Sequence, residues 1–293
     1  MKQIVVMSGK GGTGKTTITA ALGQLAGDRA AIADCDVDAS NLPMLLRPVV
    51  QSEERFRGGE LPMFDSRGCS MCGLCASACA WDAIVIRNGR YSVDETACEG
   101  CGICSHVCPE DHITMLPRVT GVAYNSQTRF DQPMAHARLN IGQENSGKLV
   151  TKTKTVAVAL AESEEKQWLI VDGPPGIGCP AIAALSGASV VLIVTEATRA
   201  GLHDLQRLVE LLQKFAVPAV CLINKHDLDL GIRGDIRRSC ETWGIPVIAE
   251  LPWSDLFPES LRQGNTLIEM NDPDISTVLS NVWQYFTTQG TRT

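Results

Sequence analysis

The 293-residue sequence has no apolar run approaching the roughly 18 residues that a membrane span requires. It has no excess of positive charge either, since 26 Lys and Arg face 33 Asp and Glu for a formal net charge of −7. A general nucleic-acid binder needs a basic face against phosphates, and an anionic membrane attracts basic segments. Neither nucleic acid nor a stable membrane anchor is therefore expected. The first residues lack the layout of a secretory signal and run directly into a core strand. Cysteine, by contrast, is abundant: twelve in all, eight of them between Cys69 and Cys108. A regularly spaced set beside a nucleotide motif points to reduced thiols in a cytoplasmic setting, with metal-ligand spacing and not a disulfide framework.

The chain is organised around Gly9-Lys10-Gly11-Gly12-Thr13-Gly14-Lys15-Thr16. The apolar run Ile4–Met7 precedes it and Thr17–Leu22 reads as the first turns of a helix. Strand, glycine-rich turn and helix form the context of a phosphate loop. Its glycines let backbone N–H groups converge on one anion, and the helix start adds its positive dipole end. Lys15 then serves the β/γ-phosphates, Thr16 is a Mg2+ ligand, and Thr17 closes the cradle.

Further strands are expected at Ala30–Asp34, Trp168–Asp172, Val190–Val194, Ala219–Ile223 and Pro246–Ala249. Helices are expected at 148–166, Leu202–Phe215, Arg233–Trp243 and Asp274–Phe286, with short strands at Gly121–Tyr124 and Met134–Leu139. This alternation predicts an α/β fold with a mostly parallel sheet and helices on both faces. The last helix has no basic face, so core packing is expected of it. Acids at strand ends are candidate chemistry. Asp36 follows one strand; Asp172 opens into Gly173-Pro174-Pro175-Gly176 and is the candidate for the magnesium side. Asp38 is either magnesium shell or turn.

From 51 to 60 the texture turns charged and glycine-rich, marking a boundary before an internal repeat. Cys69-x2-Cys72-x2-Cys75-x3-Cys79 recurs 29 residues later as Cys98-x2-Cys101-x2-Cys104-x3-Cys108. Both copies match the bacterial ferredoxin run, in which three close thiolates hold one [4Fe–4S] cluster and the fourth holds the other. Applied here, Cys69, Cys72, Cys75 and Cys108 bind one cluster, and Cys98, Cys101, Cys104 and Cys79 the second. A zinc module competes, but it leaves four of the eight thiolates without a role. Ala80 replaces the proline expected after Cys79, whereas Pro109 follows Cys108, so altered local geometry or potential, and not loss of the cluster, is expected there. The expected domains are 1–57 and 118–293 for the nucleotide domain and 58–117 for a small α+β ferredoxin-like insertion.

Lys10-Gly11-Gly12-Thr13-Gly14-Lys15-Thr16-Thr17 resembles the deviant phosphate loop of the MinD/ParA/Mrp and nitrogenase iron protein group. With the cysteine repeat, the 141–150 segment, Asp172–Pro180 and Thr195–Thr198, the chain is similar to ATPases of that group carrying an inserted two-cluster ferredoxin domain. Some of these look like the orange-protein-complex ATPases of anaerobes, whose partners are small proteins of the cofactor-biosynthesis type. The resemblance implies ATP with Mg2+, a homodimer formed on ATP binding, and catalytic roles for Lys10, Lys15, Asp36 and Asp172. Lys10 would reach the partner subunit's phosphates, and Asp36 would position the attacking water. For the base it implies Asn224 and the segment Glu250-Leu251-Pro252-Trp253, while Asp227 in Asn224-Lys225-His226-Asp227 leaves GTP open. Cys179 has the offset from Asp172 of a dimer-bridging cluster ligand but no second cysteine to match. Cys35, Cys221 and Cys240 read as core.

Two functions follow as expectations. In the first, ATP binding and hydrolysis are coupled to electron transfer or metallocluster handling with a partner protein, because the insertion lies between the Asp36 and Asp172 segments. In the second, the chain is a MinD-like spatial regulator that recruits partners, with structural or redox-sensing clusters.

Overall fold

Apolar runs bounded by glycine turns give the central strands their place. In the computed structural model, which describes residues 1–65, 67–140, 142, 143 and 147–288, β1 (Lys2–Met7) is followed by helix α1 (Lys15–Ala26) and β2 (Ala30–Asp34). Then come α2 (Leu42–Leu46), β3 (Val49–Phe64), α3 (Leu74–Ser77), β4 (Ile84–Arg87), β5 (Arg90–Val93), α4 (Ile103–His106), β6 (Ile113–Gln127) and β7 (Pro133–Leu139). The remainder alternates: α5 (Lys148–Ser163), β8 (Trp168–Asp172), α6 (Cys179–Leu185), β9 (Val190–Glu196), α7 (Arg199–Lys214), β10 (Ala219–Asn224), α8 (Leu230–Thr242), β11 (Val247–Glu250), α9 (Leu256–Gln263) and α10 (Pro273–Thr288).

The main sheet runs β11-β10-β9-β1-β8-β2-β7-β6-β3. Its seven strands from β11 to β7 pair in parallel. All five residues of β2 and of β8 are buried, as strands covered on both faces must be. Register aligns Asp34 with Asp172, which brings two acids to the carboxyl edge of neighbouring strands. Helices α1 and α10 pack on this core through Ile18, Leu22, Leu279 and Phe286, with Trp168 and Trp283 in edge contact at 5.4 Å. Each fully buried Leu, Ile or Phe contributes about 1.5–3 kcal/mol, so this core is the dominant stabilising term. On β7, His136 is buried, stacks on Tyr124 at 4.8 Å and shares a 2.9 Å hydrogen bond with Ser126 Oγ.

The chain divides into two compact units. One comprises Met1–Glu53, Ala123–Arg138 and Asn145–Thr293; the other comprises Glu54–Val122 and Leu139–Glu144. The second unit extends past both ends of the expected 58–117 insertion. Residues 51–60, expected to be a boundary segment, lie inside the 16-residue strand β3. Its residues are mostly exposed, so it lacks the alternating apolar signature that betrays a half-buried strand. Likewise Gly121–Tyr124 is a small part of the 15-residue β6, whose Pro117 and Gly121 read as breakers.

Candidate functional site

Gly14 ends the glycine loop in the left-handed region at φ 91° and is the residue before α1. A Cβ there would also stand 2.6 Å from Asn224 Nδ2 and 2.9 Å from the Phe257 ring, so glycine is required twice over. Lys15, buried at the head of α1, reaches Asp172 Oδ1 at 2.7 Å and Asp36 Oδ2 at 3.4 Å. Thr16 Oγ1 donates to Asp172 Oδ2 at 2.7 Å, and Thr19 Oγ1 donates to Asp172 Oδ1 at 3.1 Å. Three residues assigned from sequence, Lys15, Asp36 and Asp172, therefore meet at one point, with Thr16 beside them. Thr13 Oγ1 is buried in the same loop with no hydrogen-bond partner, as a group waiting on an external acceptor or donor would be.

Electrostatics explain why these acids tolerate one another. Burial opposes a charged Lys15, but Asp172, Asp36 and Asp34 outweigh it and raise its pKa. Burial and then the Asp172 charge push Asp34 up to about 8, against hydrogen bonds from Ser40 Oγ (2.8 Å) and the Asp36 N–H (3.1 Å). Burial also raises Asp36, with Lys15 opposing. Asp38 is exposed.

At the other side of the loop, Lys10 Nζ pairs with Glu196 Oε1 at 2.6 Å. Lys225 Nζ pairs with Glu196 Oε2 at 2.9 Å and donates to Gly12 O at 3.0 Å. Burial alone would raise Glu196, but these two ammonium groups hold it below the usual range. Gly176, at φ 85°, donates its N–H to Ser8 O at 2.9 Å and ties the Asp172 turn to the loop.

Of the residues expected at the base, Asn224 lines the cavity beside the phosphate loop. Asn224, expected to touch the base, is fully buried; its Nδ2 donates to Thr13 O at 2.8 Å and its Oδ1 accepts from Lys225 N at 2.9 Å. It braces the phosphate loop from behind. Asp227 Oδ1 accepts from Trp253 N at 2.6 Å and so fixes the segment around Pro252. A cavity of about 330 Å³ beside Gly12, Gly14 and Thr17 is lined by Asn224, Lys225, Trp253, Phe257 and Pro258; Asp227 and Pro252 are not among its lining residues. Sequence reading gave no role to Asp34, Glu196 or Lys225, whereas Trp253 lies in the segment it placed at the base. The first two carried the strand-end signal that marked Asp36 and Asp172.

In the cysteine-rich unit the sequence repeat is also a backbone repeat. Asp65 N donates to His112 O at 2.8 Å, and Asp94 N to Ala83 O at 2.7 Å, with both partners offset by 29 residues. Met71, Gly73 and Asp82 have positive φ, as do Gly100, Gly102 and Asp111. The turn after Cys79 closes as the one after Cys108 does (Asp82 N to Cys79 O 3.3 Å; Asp111 N to Cys108 O 3.4 Å). Ala80 therefore leaves the turn's hydrogen bond intact, so of the two expected effects the one on geometry is not seen in this turn.

Cys69, Cys72, Cys75 and Cys108 line one cavity of about 180 Å³, bringing three thiols of one run together with the fourth of the other. In the second set, Cys79 Sγ accepts from Ala83 N and Cys98 Sγ from Gly100 N, both at 3.4 Å. Cys104 is buried and Cys101 exposed. Among the described residues, no group of three or more His, Cys, Asp or Glu converges on the position of a single ion. Cys35, Cys221 and Cys240 are buried, and burial pushes Cys35 up to about 12. Cys179 is exposed at the start of α6. Part of the 141–150 segment, Ile141 and 144–146, lies outside the described residues. No described helix is long and apolar enough to cross a membrane.

Comparison with known proteins gives this geometry a family. The chain is 31% identical over 230 residues to the uncharacterised protein MJ0578 of Methanocaldococcus jannaschii, covering 78% of this chain and 79% of that one. It is 26% identical over 272 residues to a putative septum site-determining protein MinD of Tupiella akineta, covering 90% and 71%. Among solved structures, the septum site-determining protein MinD complexed with Mg-ADP from Pyrococcus horikoshii OT3 superposes with a TM-score of 0.58 at 16% identity, over 99% of this chain and 97% of that one. That likeness shows a shared P-loop α/β fold. Residues 4–267 match the CobQ/CobB/MinD/ParA nucleotide binding domain, and with the phosphate loop and its paired strand-end acids in place, the chain belongs to that family.

Proposed function

We propose that this protein is a MinD/ParA-type ATPase that closes into a homodimer on Mg-ATP and recruits a partner protein in that state. The convergence of Lys15, Thr16, Asp36 and Asp172 carries this reading. Lys15 would exchange its carboxylates for phosphate oxygens, and Thr16 with Asp172 would hold the Mg2+, which would screen phosphate charge. Asp36, released from Lys15, orients the attacking water. Trp253 and Phe257 receive the base; Asp227 is engaged by the Trp253 N–H, which favours ATP over GTP. The resemblance to proteins named MinD supports partner recruitment ahead of electron delivery. Sedimentation with a non-hydrolysable ATP analogue tests the proposal. The wild type should dimerise and Lys10→Ala should stay monomeric while still binding nucleotide; equal dimerisation by both would overturn the cross-dimer role.

A finer reading concerns the thiols. We propose that they hold two [4Fe–4S] clusters, Cys69, Cys72, Cys75 and Cys108 around one and Cys79, Cys98, Cys101 and Cys104 around the other. Four thiols arranged around a cavity, drawn from both runs, suit a multi-iron group. Such clusters would supply one-electron redox chemistry, used either for sensing or for transfer to a cofactor-biosynthesis-type partner of the orange-protein kind. Anaerobic protein should contain about eight irons per chain; stoichiometric zinc without iron would overturn this.

A further inference from the structure

The Glu196 carboxylate is shared. Lys10 takes Oε1 and Lys225 takes Oε2, and both side chains reach it across the phosphate loop. Lys10 is further held by Thr198 Oγ1 at 3.5 Å, and its carbonyl accepts from Ser8 Oγ at 2.8 Å. While Lys10 lies on Glu196, its ammonium is engaged within its own subunit.

Two lysines on one buried carboxylate make an exchangeable arrangement. Removing the sole partner of a buried charge is costly, because the charge is left uncompensated. Here the departure of Lys10 leaves Glu196 paired with Lys225, which is anchored to Gly12 O. Lys10 is also the more exposed of the two side chains, at 32% against 26%. The geometry points to Glu196 as a positioning residue that retains Lys10 in its own subunit, with Lys225 as the counter-ion that permits its release. This rests on the cross-dimer role proposed for Lys10 and adds what that lysine must leave behind.

The two counter-charges predict opposite effects. Glu196→Gln weakens the hold on Lys10, so the dimer should form at about fivefold lower ATP-analogue concentration. Lys225→Met leaves Glu196 with Lys10 alone, so the dimer should need about fivefold more. Each dimerisation midpoint, read by sedimentation velocity, is divided by the nucleotide affinity of the same change made in the Lys10→Ala background. This removes any direct effect on the nucleotide. Glu196→Asp, which keeps the charge but shortens the reach, should shift in the same direction as Gln and serves if the Gln variant does not fold. Shifts of one sign for Glu196→Gln and Lys225→Met, or no shift in either Glu196 variant, would overturn the inference. If Lys10→Ala itself dimerises normally, the cross-dimer reading fails; if it is monomeric while Glu196→Gln is unchanged, only the retention role fails.

Discussion

The two units differ in what holds them together. The nucleotide unit has a large apolar core between a parallel sheet and helices α1 and α10, and its buried charges neutralise one another in the Lys15–Asp172–Asp36 group. In the cysteine-rich unit the buried cluster is Cys75, Ile84, Cys104 and Ile113, with a few half-buried neighbours. Half of that small core is thiol. A unit of this size with so little apolar burial requires staples, and the proposed clusters would make metal binding part of the folding free energy. On the proposed function, one unit would use its ligand for switching and the other would use its ligand for its fold.

The largest expected effect is on the switching side. Lys15→Ala should abolish measurable nucleotide binding in a fluorescent-analogue titration, because Lys15 is the buried ammonium at the head of α1 where the phosphates would sit. Asp36→Ala should bind ATP normally and turn over about a hundredfold more slowly, trapping the dimer. Wild-type turnover by Asp36→Ala would make that carboxylate a turn-capping group.

A smaller effect breaks the comparison from the cysteine side. Cys108→Ser should lose about half the iron, and Cys79→Ser the other half, because the proposed pairing gives each fourth thiol to the other run's cluster. Iron content with electron paramagnetic resonance of the remaining cluster checks this. If Cys108→Ser instead disturbs only the signal assigned to Cys98, Cys101 and Cys104, the crossed pairing is wrong.

The smallest effect concerns pH. Burial lowers the pKa of His136 from 6.5 to about 4. The unfolded chain therefore binds that proton first as pH falls. The stabilisation is complete above 6.5 and lost as pH drops through about 4, amounting to up to about 3 kcal/mol. His136→Phe, which retains a ring against Tyr124, should flatten the thermal stability of the nucleotide unit across that window. An unchanged slope would assign the acid lability elsewhere.

Legibility in the sequence followed local chemistry. The phosphate loop was readable because strand, glycines, Lys15 and Thr16 are contiguous and each residue type has one physical use. The cysteine runs were readable because their spacing repeats. Asp34 and Glu196 were not, since a strand-end acid gains meaning only through register, which pairs Asp34 with Asp172, and through lysines distant in sequence. Asn224 was assigned to the base through the family resemblance, but its second contact, from Nδ2 to Thr13 O, is visible only in the fold. The strand β3 escaped because an exposed strand of charged residues and glycines has no periodic apolar face to detect.

Hydrogen exchange on one preparation, with and without iron and with and without ATP analogue, tests the contrast most directly. The account predicts that iron-free protein exchanges rapidly throughout 54–122 while the nucleotide unit stays protected. Iron should restore protection to 54–122, and the analogue should add protection around Gly9–Thr17 and the Glu196 segment. Equal protection of 54–122 in iron-free and iron-loaded protein would contradict it, because that unit would then hold its fold without what its thiols bind.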